Sequence, residues 1–183
     1  MRPIHDFAIL AVGWVVWVAP FFLIRRPAVK AAMVDRRARW GIVLQAAGYS
    51  LLWQTRFWER PTDSWRMLVS VCFLAVACLL SWTGVRALGG QWRVDAGLNE
   101  SHQLVTSGPY RYVRHPIYSS MLSLLLGTGF MITPWALLVA AVVVFIIGTE
   151  ARVRIEDGLL AWRFGDEFQI YRRSVAAYIP LAR

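Results

Sequence analysis

The sequence predicts an all-α integral membrane protein of five transmembrane helices, the last two paired as a helical hairpin, with a C-terminal interfacial helix. Three observations carry this. Of the 183 residues, 57% are hydrophobic and only 17% charged, against roughly half and a quarter in ordinary soluble domains. The charges fall into short segments between long apolar windows. The net charge of +9 sits in those segments, as a topology signal does, and not along one face of a basic domain, which argues against a nucleic-acid partner.

The charge-free windows run from Phe7 to Ile24, Trp40 to Thr55, Met67 to Val85 and His115 to Thr149. A bilayer core of about 30 Å takes about 20 helical residues. The first and third windows therefore cross once each, and the second crosses if its ends extend. The fourth is far too long for one crossing, and Thr133-Pro134 interrupts it where a tight turn belongs, so it reads as the hairpin. Gly127 and Gly129 in its first arm either admit a neighbouring helix closely or are ordinary membrane-helix glycines. After the hairpin, Leu159, Leu160, Trp162, Phe164, Phe168, Ile170 and Tyr171 alternate with charges, the pattern of a helix along the interface, divided at Gly165 and ended before Pro180.

Residues 1–183 read as a single membrane domain. The first window lacks a small-x-small cleavage pattern and reads as a span. Cys72 and Cys78 lie within one apolar window and act as small hydrophobes. Trp82, Trp92, Trp135 and Trp162 lie near span ends as interfacial anchors.

Orientation follows from the cations. Arg25, Arg26, Lys30, Arg36, Arg37 and Arg39 face a single Asp35 in the first connection, whereas the turn from Met131 to Pro134 has no charge. The positive-inside rule makes the first connection cytoplasmic. Five spans then put the N-terminus outside and the C-terminus in the cytoplasm, with the polar segments Arg86 to Arg114 and Glu150 to Arg183 facing that same compartment.

Chemistry is concentrated within 92–160. The run Gly108 to Tyr118 packs Tyr110, Tyr112, His115 and Tyr118 with Arg111 and Arg114 between Pro109 and Pro116 at a membrane edge. Arg152 and Glu156 are four residues apart, hence on one helix face. An exposed pair of that kind contributes only about 0.3 to 0.5 kcal/mol, but this face leaves the membrane where the His115 segment enters it, and ionisable groups at that depth are usually functional. His102 and His115 lack the third ligand that a zinc site needs, so no metal is expected. Ser107, Ser119 and Ser120 lack a nucleophile elbow, and no Gly-rich phosphate loop occurs.

The combination of His102-Gln-Leu-Val105, Tyr110, Arg114-His-Pro-Ile-Tyr118, Arg152-x-x-x-Glu156, Phe164-Gly-Asp-Glu-Phe168 and Tyr171 to Pro180 resembles the isoprenylcysteine carboxyl methyltransferase family over about the C-terminal half. The resemblance implies five or more membrane helices and a cytoplasm-facing pocket for S-adenosylmethionine. Carried over, it assigns cofactor binding to Asp95, His102, Gln103, Leu104, Val105, Tyr110, His115, Pro116, Ile117, Tyr118 and Glu156, and contact with the methyl acceptor to Arg152. The sequence departs from the family pattern at Asp95, where the pattern has glutamine, and at Asp157, where many relatives have a second glutamate.

Such a transferase needs chiefly to align a nucleophile with an activated methyl group and to exclude water. The implied acceptor is lipophilic or amphipathic, a carboxylate or an amine, with membrane lipids as neighbours. Two other classes stay open. One is a membrane reductase of the sterol-reductase type using NADPH, whose C-terminal halves resemble this one. The other is a non-enzymatic membrane scaffold, disfavoured because a polar cluster at a membrane edge is costly without use.

Overall fold

The computed structural model describes residues 4–24, 31–54, 62–99 and 102–179. Arg25, Arg26, Lys30, Thr55 and Pro180, which entered the sequence reading, lie outside the described residues. The described chain is mostly helical: α1 Ile4–Leu23, α2 Ala38–Leu51, α3 Ser64–Leu88, α4 Pro116–Ile132 and α5 Trp135–Ser174. By length and composition, α1, α3 and α5 suffice to cross a membrane, while α4 is apolar but shorter and α2 has 14 residues.

The all-α expectation needs one amendment. Strands β1 Ala31–Val34 and β2 Gly97–Asn99 pair antiparallel, and Asp35 N–H extends the ladder to the Ala96 carbonyl at 3.0 Å. Runs of three or four residues are too short to show a period of two, and these partners are far apart in sequence. The sheet ties the connection after α1 to the segment after α3.

Local chemistry sets the helix ends. Gly89, with φ 52°, stops α3 in a conformation that costs any other residue more. Pro116 opens α4 at a position where its missing N–H is not needed. Thr133, extended as a residue before proline must be, separates α4 from α5. Gly165, also at φ 52°, breaks α5 internally, so the distal segment departs from the line of the first.

Packing uses small residues and interhelical hydrogen bonds, as it must where lipid is as apolar as the core. Helix α3 lies on α4: a Cβ on Gly127 would meet Leu74 at 3.0 Å, and Ser70 Oγ donates to the Gly127 carbonyl at 2.6 Å. Gly127 thus serves close approach. Helix α2 lies on α5 more tightly still. A Cβ on Gly148 would fall 2.7 Å from the Gly41 carbonyl oxygen, and one on Gly41 would fall 2.4 Å from Arg152 Cγ. Helix α1 is fixed by Trp14 Nε1 donating to Thr128 Oγ1 at 3.1 Å, Trp17 Nε1 to Ser120 Oγ at 3.2 Å and Trp82 Nε1 to the Val16 carbonyl at 3.0 Å.

Candidate active site

Residues 108–115 are placed by the chain on both sides. Gly108, at φ 61°, opens a 3-10 turn over Gly108–Arg111. The segment after α5 then returns alongside it: Arg114 N–H and His115 N–H donate to the Ala176 and Ala177 carbonyls, each at 2.8 Å. Ser119 Oγ donates to the Tyr178 carbonyl at 2.5 Å, and Tyr171 hydroxyl to the Tyr110 carbonyl at 2.5 Å. The polar run before α4 is therefore clamped against α5 and its extension.

This clamp brings the two separated motifs together. His115 Nε2 is 2.9 Å from Asp157 Oδ1, and its Nδ1 is 3.4 Å from Glu156 Oε2. Tyr118 hydroxyl donates to Glu156 Oε1. Arg152 Nη2 donates to the Val94 carbonyl at 2.6 Å and lies 3.4 Å from Glu156 Oε1, while its guanidinium sits 5.2 Å over the Tyr118 ring. Arg114 Nη2 donates to Asp157 Oδ2 at 2.9 Å. The Arg152–Glu156 pair is thus no surface ion pair: the Arg152 side chain is 8% exposed and that of Glu156 22%.

These groups border a cavity of about 510 Å³, within the roughly 300 to 1,000 Å³ range of small-molecule sites. Asp95, His102, Gln103, Leu104, Val105, Tyr110, His115, Ile117, Tyr118, Arg152 and Glu156 all line it. Pro116 does not: its ring packs 3.6 Å from where a Cβ of Gly84 would lie, under the start of α4. Gln103 is exposed at the rim, with its backbone N–H donating to Gln91 Oε1 at 2.6 Å.

The far side of the cavity is apolar and comes from residues the sequence did not single out: Trp17, Val18, Phe21 and Phe22 of α1, and Ile42, Ala46 and Tyr49 of α2. Their signal is indistinguishable from ordinary lipid-facing residues. Gln45 is the polar exception on that side, 2% exposed, with Nε2 donating to Thr149 Oγ1 at 2.9 Å. Asp157 was also not singled out for the site; its contacts with His115 and Arg114 arise only when α5 meets the chain before α4.

Electrostatics differ along the polar wall. Asp95 is held below the usual carboxylate range by its two-point contact with Arg93, at 2.8 and 3.0 Å. His102 is pushed down by burial and then by Arg163 and Arg93, so its imidazole is neutral at pH 7. Its Nδ1 is buried without a hydrogen-bond partner, which leaves a polar atom of the wall unmatched. Burial raises the Tyr110 phenol well above its ordinary value, keeping it protonated.

The phospholipid methyltransferase family matches residues 65–167, more than half of the chain and nearly the whole polar wall. This chain belongs to that family. An 83-residue stretch is 35% identical to protein-S-isoprenylcysteine O-methyltransferase of Schizosaccharomyces pombe, covering 45% of this chain and 35% of that protein. The cobalt-zinc-cadmium resistance protein CzcN of Cupriavidus metallidurans is 38% identical over 81 residues, 44% of this chain and 37% of that protein. The nickel-cobalt-cadmium resistance protein NccN of Alcaligenes xylosoxydans xylosoxydans is 29% identical over 142 residues, 77% of this chain and 62% of that protein. The chain thus spans less than two thirds of the length of each of these relatives. Membership of the phospholipid methyltransferase family removes the support for the sterol-reductase reading with NADPH, since both the family and the isoprenylcysteine relatives are named for methyl transfer.

Proposed function

We propose that this protein is a membrane-embedded methyltransferase that uses S-adenosylmethionine and acts on a lipophilic or amphipathic acceptor. The observation that carries the reading is a cavity with two unlike walls: a polar one holding Arg152, Glu156, His102 and Asp95, and an apolar one supplied by α1 and α2. The residues suit the cofactor. It is a zwitterion with an additional sulfonium charge and an aromatic base. The wall offers carboxylates at Asp95 and Glu156, neutral His102 with an unmatched Nδ1, and the rings of Trp92, Tyr110 and Tyr118, whose faces attract cations.

When bound, the cofactor supplies an electrophilic methyl group that needs no further activation. The chain's own task is alignment and exclusion of water. Glu156, held by His115, Tyr118 and Arg152, presents a fixed carboxylate to the cationic end of the cofactor. Arg152, anchored on the Val94 carbonyl, orients the polar head of the acceptor by its planar fork. Leu104, Val105, Leu159 and Leu160 close apolar surface over the site. Trp17, Phe21, Ile42 and Ala46 receive the acceptor's apolar body, which is where burial of each methylene stabilises binding by about 0.8 kcal/mol.

We infer further that the site faces the cytoplasm, on five crossings: α1, α2, α3 and the hairpin of α4 with α5, the distal part of α5 lying along the interface. This is supported by exposed Arg36 and Arg37 before α2 and exposed Arg39 in its first turn and by exposed Trp162 and Ile170 beyond the membrane part of α5. Reporter fusions at the two termini test it: opposite compartments are expected, and the same compartment for both would overturn the five crossings. For the activity, calorimetry in detergent with S-adenosylhomocysteine is expected to show saturable binding. Tight binding of NADPH with none of S-adenosylhomocysteine would overturn the reading. Labelled methyl donor incubated with lipophilic carboxylates, amines and thiols then identifies the acceptor.

A further inference from the structure

Glu156 and Asp157 are consecutive on α5, so their side chains leave the helix about 100° apart. Glu156 lines the cavity, whereas Asp157 lines a separate depression with Arg114, Arg154 and Arg172. His115 lies between the two carboxylates, one on each ring nitrogen, at 3.4 Å and 2.9 Å. A neutral imidazole has a single N–H; only the imidazolium donates from both nitrogens. Two ionised carboxylates on one ring therefore select the charged form.

We propose that Asp157 is a positioning residue, which holds His115 as an imidazolium turned so that Nδ1–H meets Glu156 and thereby fixes the cavity carboxylate from behind. It touches no ligand. Asp157 is itself well held: its side chain is 6% exposed, its second oxygen takes Arg114 Nη2 at 2.9 Å, and Arg114 Nη1 is anchored on the Val175 and Arg172 carbonyls. The charged and titratable groups around His115 are Glu156, Asp157 and, beyond them, Arg152 and Arg172 from α5, with Tyr118 from α4 at 5.6 Å between rings and Arg114 from its own connection. Burial alone would discharge the imidazole, but the hydrogen bonds to Asp157 and Glu156 outweigh it and raise His115, in the connection before α4, to about 9. Such a raised group contributes fully at pH below its ordinary value and loses the contribution as pH rises through about 9.

The consequence for Glu156 rests on the proposed function; the hold on His115 does not. The chain has three histidines, so ring-nitrogen NMR in detergent, with His115→Gln to assign the signal, follows His115 directly. The wild type is expected to keep it charged past pH 8. Asp157→Asn is expected to lower its midpoint by about one to three pH units, as loss of an adjacent opposite charge does, and Asp157→Glu to keep most of the elevation. A neutral His115 at pH 7 in the wild type, or an unchanged midpoint in Asp157→Asn, would overturn the proposal. Calorimetry with S-adenosylhomocysteine supplies the second readout. The ratio of wild-type to Asp157→Asn affinity is expected to grow between pH 6 and 9, and a ratio equal at every pH, as a packing defect gives, would overturn the positioning role. Absence of any S-adenosylhomocysteine binding by the wild type would instead refute the proposed function, with the His115 midpoint still deciding what Asp157 does.

Discussion

The two walls of the cavity are built by opposite means. The polar wall is a set of reciprocal contacts among Arg152, Glu156, Tyr118 and His115, each side chain held by at least two others, with Asp157 behind His115 and outside the cavity. The apolar wall has shape but less direction: Phe21, Ile42 and Ala46 offer surface, while Trp17, Gln45 and Tyr49 make directed side-chain bonds, to Ser120, to Thr149 and to the Met121 carbonyl. Directional contacts fix a ligand's charged atoms, whereas apolar surface fixes its volume. One wall therefore suits a single invariant ligand and the other a class of ligands that share only a greasy body.

The contrast is broken most severely at Glu156. Replacing it by glutamine removes a charge-assisted contact of about 1.5 to 3 kcal/mol, so S-adenosylhomocysteine affinity is expected to fall ten- to hundredfold by calorimetry. Next comes the seam that carries both walls. Gly148→Ala puts a methyl group 2.7 Å from the Gly41 carbonyl oxygen, and overpacking of that kind costs about 1 to 3 kcal/mol. Its thermal midpoint in detergent is expected to drop, and turnover with it, because Gly41 also seats the Arg152 stem.

Arg152→Lys sharpens the division within the polar wall. Lysine keeps the charge but not the planar fork, whose Nη2 meets both the Val94 carbonyl and Glu156, so turnover is expected to fall about tenfold with cofactor affinity nearly unchanged. Equal loss of cofactor affinity in the arginine and glutamate variants would merge the two roles. On the apolar wall, Ala46→Leu narrows the cavity without touching an ion pair. It should raise KM about fivefold for the bulkiest acceptors, the roughly 1 kcal/mol at the low end of what a misfitted methylene is worth, and leave S-adenosylhomocysteine binding as it was.

The smallest effect belongs to Asp95. Its side chain is 43% exposed, so its contact with Arg93 behaves as a surface pair, and Asp95→Asn is expected to change cofactor affinity no more than about threefold. Because this carboxyl is held low, its contribution is present above the ordinary aspartate value of about 3.9 and disappears as pH falls through the lowered one. A shallow acid limb in the wild-type binding profile, absent in Asp95→Asn, is the check.

Much of the polar wall was legible in the sequence because its members are locally encoded. Arg152 and Glu156 share a face by helical spacing alone, and the run from Tyr110 to Tyr118 betrays itself by placing rings and arginines beside an apolar window. The pairing of β1 with β2, the contact of Gly41 with Gly148 and the contacts of Asp157 with His115 and Arg114 were not legible. Each depends on two segments far apart in the chain, and a glycine or a carboxylate looks the same in sequence whether or not a partner arrives.

By itself, then, the sequence determined where apolar windows begin and end, since burial against lipid requires about 20 residues without charge, and which short segments hold the ionisable groups. It also marked the breaks at Thr133-Pro134 and Gly165, because those backbones tolerate only a few residue types. Tertiary structure decided which apolar residues face the cavity and which face lipid, a choice that hydrophobicity cannot express because both surroundings are apolar. It also decided that His115 stands between two carboxylates, for that geometry exists only once α5 packs against the chain leading into α4.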